Sequence, residues 1–153
     1  MFMYNACGMK MNDSGKPILA VDWGRKRLGL AVSDSIRMLA RPLDVIKHIS
    51  RREDAKKILE IAQENNVGLI IIGVTYEDNQ TPTHNGRSAM RLIEEIKCLG
   101  AIPVTAWDEE GSTRGAISLH VEMGSSRKKR KGHLDSIAAA IFLQNFLDSE
   151  SEK

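Results

Sequence analysis

A chain of 153 residues, 42% apolar and 27% charged, has the material for one globular domain with a proper core and needs no second. Its net charge of +2 excludes a tail-like polycation, so affinity for nucleic acid must come from local clusters such as Arg127 to Lys131. Two cysteines without metal-ligand spacing, the lack of an apolar leader in residues 1–16 and the lack of any run of about 18 apolar residues argue against a disulfide scaffold and a membrane span, and make a cytoplasmic location the expectation.

Residues 1–16 carry Met1, Met3, Met9 and Met11 among Asn, Asp and Lys and read as a flexible extension; 17–148 is expected to be the single domain, and 149–153 a polar, frayed tail. The chain proper opens with Ile18 to Val21, an apolar run that ends in Asp22. After Trp23-Gly24-Arg25-Lys26 a second run, Leu28 to Val32, leads to Ser33-Asp34. This predicts a β-hairpin whose first strand is buried and terminates in an acid. A carboxylate there needs a cation, a donor or a metal to stay charged, although Asp also opens turns for purely local reasons. Ala40 to Ile46 reads as a third strand, with Pro42 suited to a sheet edge.

Ser50-Arg51-Arg52-Glu53 has the form of a capping box, and Ala55, Ile58, Leu59 and Ala62 recur at helical spacing. Val67 to Val74 is short and apolar throughout, the pattern of a strand covered on both faces, and is expected in the middle of the sheet. A polar stretch from Thr75 follows. A helix is predicted from Asn85 or Gly86 to Gly100, with Met90, Ile93 and Ile96 inward, then a strand from Ile102 to Trp107 ending in Asp108-Glu109-Glu110. Ser112 can cap a further helix carrying Ala116, Leu119 and Met123 and closing at Gly124. The basic run Arg127-Lys128-Lys129-Arg130-Lys131 reads as a loop before a last helix, His133 to Leu147, whose Ile137 to Leu143 segment must be largely buried.

The order β-β-β-α-β-α-β-α-α predicts an α/β fold: a mixed five-stranded sheet, three antiparallel strands then parallel ones, flanked by helices. Parallel strands share one carboxyl edge, so the strand ends at Asp22, Val74 and Asp108 should meet there. A last helix packed across that edge would bring Asp135 beside Asp22 and Glu109. Converging carboxylates repel unless they are protonated or hold a hard cation, and oxygen-rich, thiol-free surroundings favour Mg2+ or Mn2+ over zinc. Two such ions about 3.5 to 4 Å apart can promote in-line attack of water on a phosphodiester. Arg25, Lys26, Arg27 and Arg127, Lys128, Lys129, Arg130, Lys131 would flank the acids and hold phosphates.

The segment D-W-G-R-K-R-L-G-L-A-V-S-D, Asp22 to Asp34, resembles the D-x-G-x-K-R-x-G-x-A-x-S-D signature of the YqgF family, also called RuvX. I-I-I-G-V resembles that family's central strand, D-E-E-G-S-T stands where D-E-R-x-[ST]-T is usual, and K-G-H-L-D-S-I-A-A-A-I-F-L-Q-N-F-L is similar to its closing helix. The resemblance spans Ile18 to Leu147. It implies an RNase H-like nuclease fold and a metal site formed by Asp22, an acid of the Asp108-Glu109 pair and Asp135. It further implies processing of the 5′ end of pre-16S rRNA, with RNA preferred over branched DNA, or else resolution of Holliday junctions, where symmetric cutting would need a homodimer. Glu110 stands where the family has Arg, and Val74-Thr75 replaces Leu-Pro, which keeps open a nucleic-acid-binding module of the same fold without hydrolysis.

Each acid and cation also has an ordinary explanation. Asp135 suits the first turn of a helix through the helix dipole, Asp108 to Glu110 could be an acidic helix entry, and charge runs are usually solvated. Trp23 and Trp107 are expected in packing rather than stacked on bases. The four histidines show no mutual ligand spacing, and only His133 lies near a candidate acid in sequence. Gly24 to Gly29 also resembles the phosphate loop of sugar kinases and actin-like ATPases, which need two such domains where this chain has room for one.

Overall fold

The computed structural model describes residues 15–108 and 127–151, with side chains throughout except at 127–135. Strand β1 (Ile18–Asp22) pairs antiparallel with β2 (Arg27–Ser33), Leu19 opposite Val32 and Asp22 opposite Gly29. β2 pairs antiparallel with β3 (Ala40–Lys47), with a register shift between Gly29 and Ala31. After α1 (Arg51–Glu64), β4 (Leu69–Val74) lies parallel to β1; after α2 (His84–Leu99), β5 (Val104–Asp108) lies parallel to β4. The sheet order is β3-β2-β1-β4-β5, and α3 (Arg127–Ser151) is the last described element.

Alternation along the strands splits the core in two. Leu19 and Val21, Leu28, Leu30 and Val32, and Ile70, Ile72 and Val74 pack with α1 and α2 on one face. Ile18, Ala20, Ala31, Leu69 and Ile71 pack on the other against Ala139, Phe142, Leu143, Phe146 and Leu147 of α3. Strands covered on both sides must be apolar throughout, which is why Ile18 to Val21 and Leu69 to Val74 read as continuous runs. The expected mixed sheet is observed, but β1 rather than β4 is its central strand. The hairpin partners β2 and β3 stack on one side of β1, leaving β4 and β5 on the other. Pro42 sits, as expected, on the β3 edge.

Ser50 caps α1, its hydroxyl accepting the Glu53 N–H at 3.1 Å. α2 starts at His84, earlier than expected, because Thr83 accepts the Gly86 N–H at 3.0 Å and acts as the cap. Its inward stripe is Ala89, Leu92, Ile93 and Ile96, so Met90, expected inward, is one position off it and exposed. The basic run is the start of α3 and not a loop: Arg and Lys are good helix formers and Gly132 is tolerated within the helix. The helix also continues to Ser151, past the expected end at Leu147. Its Ile137 to Leu143 segment buries Ala138, Ala139, Phe142 and Leu143, while Ile137 and Ile141 are half-buried. The helix expected after Ser112 lies outside the described residues.

Candidate active site at the carboxyl edge of the sheet

β1, β4 and β5 are parallel, so their carboxyl ends share one edge; the register sets Val21 beside Ile72 and Val74 beside Asp108. Asp22 is the last residue of the central strand and is half-buried. Since Ile18 and Ala20 face α3, alternation puts Asp22 on that same face. Its neighbour on one side is Gly29, its pairing partner in β2. On the other side the register from Val21 and Ile72 brings Gly73 level with it. No side chain therefore rises from either adjacent strand beside Asp22. A β-carbon at Gly29 or Gly73 would project into this space, and glycine within a strand commonly marks such a close approach. An all-oxygen donor in such a recess fits a hard divalent cation rather than zinc.

Asp108 differs. Trp107 packs with the α3-side cluster and meets Phe146 edge-on, with ring centroids 5.1 Å apart. Asp108, one residue on, falls on the α1 and α2 face, opposite to Asp22. The edge thus gathers the strand ends as expected, while the two described acids stand on opposite faces. Glu109, the side chain of Asp135 and those of Arg127 to Lys131 lie outside the described residues. Among the described residues no group of three potential ligands is assembled.

Arg25, Lys26 and Arg27 form the turn and first strand residue just beyond Asp22, with Arg25 and Lys26 exposed. The turn depends on Gly24, where a β-carbon would lie 2.4 Å from the Arg27 carbonyl oxygen. Ser33 and Asp34, at the far end of the same motif, are structural. Ser33 Oγ accepts the Ile18 N–H at 2.8 Å, and Asp34 Oδ1 accepts the Met38 and Leu39 N–H groups at 2.7 and 3.2 Å. Beyond Val74 the polar segment folds back as a small turn: Tyr76 bridges Pro82, and the Thr75 carbonyl accepts the Thr83 N–H at 3.0 Å.

One polar pair escaped the sequence reading. His48 Nδ1 hydrogen-bonds Asp54 Oδ2, Asp54 Oδ1 accepts the Ile49 N–H at 3.1 Å, and Asp54 is 2% exposed. Trp23 meets the His48 ring edge-on at 5.9 Å, so it packs, as expected, rather than offering a free stacking face. A signal existed: Asp54 occupies the stripe of Ala55, Ile58 and Ala62, and an acid among core positions of a helix implies a fixed partner.

Comparison with known proteins bears on family and fold. The family model described as RuvX: Holliday junction resolvase matches residues 16–149. A protein of Endomicrobium trichonymphae named "Putative pre-16S rRNA nuclease" is 39% identical over 137 residues, covering 89% of this chain and 98% of its own. One of the same name from Thermoanaerobacter pseudethanolicus is 38% identical, covering 89% and 99%. Among solved structures, T. thermophilus RuvC in complex with a Holliday junction superposes with a TM-score of 0.58 at 16% identity, covering 90% of this chain and 97% of that one. The Fowlpox virus resolvase bound to junction DNA gives 0.52 at 15%, covering 88% and 98%. At such identities the structures speak for the fold alone, which is RNase H-like.

Proposed function

Because the chain belongs to the RuvX family, we propose that it is a nuclease hydrolysing phosphodiester bonds in structured nucleic acid, with the 5′ region of pre-16S rRNA as its substrate. The observation that carries the reading is Asp22 at the carboxyl end of the central strand, between two glycine positions on the face covered by α3. RNA is preferred on the names of the relatives at 38–39% identity.

Asp135 is supported as a second acid by position. Gln144 accepts the Ala40 N–H at 2.9 Å, Ala40 pairs with Ser33, and Ser33 binds the Ile18 N–H, so Gln144 stands near the amino end of β1. From Gln144 back to Asp135 the helix rises about 14 Å, and from Ile18 to Asp22 the strand rises about 13 Å, matching lengths that support Asp135 as the second acid. In the Asp108-Glu109 pair, Asp108 falls on the face opposite to Asp22, so the ligand proposed from the pair is Glu109.

Asp22, Glu109 and Asp135 would hold one or two Mg2+ ions, which when bound supply a water of lowered pKa and charge stabilisation of the departing oxygen. The protein's own part is placement. The glycine-flanked recess admits the sugar-phosphate backbone to Asp22, α3 closes one side, and Arg25, Lys26 and Arg27 beyond the strand end neutralise neighbouring phosphates.

The test is cleavage of a labelled pre-16S rRNA leader and of a four-way DNA junction, by wild type and Asp22→Asn, with magnesium and with EDTA. Leader cleavage that needs both magnesium and Asp22 is expected. Cleavage of the junction alone would make the protein a resolvase, and size exclusion should then show two copies per junction. Magnesium-independent binding without cleavage of either would establish the binding module instead.

A further inference from the structure

The turn after β1 and the end of β3 enclose a cleft of about 530 Å3 lined by Arg25, Lys26, Arg27, Val45, Lys47 and His48. We propose that this cleft is a second phosphate subsite, which grips the nucleic-acid backbone away from the scissile bond; the inference rests on the nuclease reading above.

The lining suits an anion, with four basic side chains around one cleft. Arg27 and Lys47 are direct cross-strand partners, so two basic residues stand side by side at this edge. Among the described residues Arg25, Lys26 and Lys47 have no ion-pair partner, whereas Lys56, Lys57 and Lys97 each pair with a glutamate on their own helix. A phosphate in the cleft would give Arg25, Lys26 and Lys47 a counter-charge.

His48 supplies the one rigid group. Its backbone N–H donates to the Lys26 carbonyl at 3.0 Å, continuing the strand ladder, and its ring is held from below by buried Asp54 and edge-on by Trp23. With Nδ1 engaged by Asp54, Nε2 is the ring nitrogen that can, when it carries a proton, donate to a phosphate oxygen. Asp54 is thus a positioning residue for His48.

The register also gives the spacing. Gly29 faces both Asp22 and Val45, so Lys47 lies two strands across and two residues outward from Asp22, at the same edge. That is about 12 Å from backbone to backbone. Successive phosphates of a strand are further apart in space than their rise of about 3.4 Å along the helix axis, so the cleft would engage a phosphate no more than about three nucleotides from the one at Asp22.

Lys47→Gln and Lys26→Gln test this, with Lys56→Gln and Lys97→Gln as controls. Affinity is measured in EDTA for a structured RNA and for a four-way DNA junction, as a function of salt. Each lost phosphate contact should reduce the slope of log affinity against log salt by about 1 and weaken binding about eightfold at 0.1 M salt. The controls should bind as wild type. His48→Ala should weaken binding in the same direction, and Asp54→Asn should follow it with the salt slope as readout; thermal melting identifies a variant that has merely unfolded, in which case Lys47→Gln and Lys26→Gln decide. If wild type binds and cleaves but the cleft variants keep its affinity and slope, the subsite is overturned and the nuclease reading stands. If wild type binds neither probe, both fall. AMP competing as strongly per phosphate as the polymers would put a small ligand in the cleft and overturn the backbone assignment.

Discussion

Gly24→Ala probes the junction between fold and site most directly. The residue lies in the turn that carries Arg25, Lys26 and Arg27 away from Asp22, and a β-carbon there would sit 2.4 Å from the Arg27 carbonyl oxygen and 3.6 Å from its carbon. The obstacle is backbone rather than a movable side-chain tip, so the turn itself must open. Forcing such a shift costs roughly 1–3 kcal/mol, while Gly→Ala recovers about 0.4–1 kcal/mol by restricting the unfolded chain. The net loss is about 1–2 kcal/mol, equivalent to a fall in Tm of roughly 2–8 °C for a chain of this size. Opening the turn also moves Arg27 relative to Lys47, so affinity for structured RNA in EDTA should drop with stability. Differential scanning calorimetry and a binding titration measure the two effects. A variant that melts at or above the wild-type temperature would refute the steric argument, because the entropic gain would then act unopposed.

Asp22→Asn should abolish cleavage and the magnesium-dependent rise in Tm while leaving Tm in EDTA level or higher, since it removes repulsion among the proposed ligands; a magnesium-induced rise of equal size in both proteins would remove Asp22 from the ligand set. Phe142→Ala, at a fully buried position between α3 and the sheet, should cost about 3–5 kcal/mol in chemical denaturation; a loss below about 1 kcal/mol would mean that α3 is not seated there. Replacing Arg127 to Lys131 by Gln should weaken binding of all nucleic acids and flatten the salt dependence, and an unchanged slope would take the start of α3 out of the interface.

The fold was legible because its signals are physical necessities. Strands covered on both faces must be apolar end to end, which fixed β1 and β4, and the Ser50 capping box marked α1. The carboxyl edge followed from topology alone. What sequence could not supply was facing. Asp108 and Asp22 look equivalent as strand-terminal acids, yet the parallel register puts them on opposite sides of the sheet. Likewise Met90 fits an apolar pattern, yet Ala89 beside it is the residue that packing turns inward. His48 and Asp54 were missed because their contact spans the end of β3 and the first turn of α1, and neither residue has a spacing rule that announces the other. Ser33 and Asp34 show the converse: they belong to the most recognisable motif in the chain and serve to organise a loop.

The same free energy that sets the core register also sets the site. Leu19 and Val21 face α1 and α2 while Ile18 and Ala20 face α3, so a one-residue slip of β1 would exchange both sets and turn Asp22 to the wrong face. A slip between β1 and β2 would set a side chain of β2 beside Asp22 in place of Gly29 and carry Arg27 out of its alignment with Lys47. The apolar residues of the three strands are therefore part of the functional apparatus: their alternation aligns one acid with a glycine on either side and keeps the cations one step further out on the same edge. Such an arrangement needs no rigid loop to hold it. The register sets Asp22 and Lys47 about 12 Å apart on different strands, so the position proposed to gather hard cations and the one proposed to gather phosphate are each fixed by the pairing of the sheet.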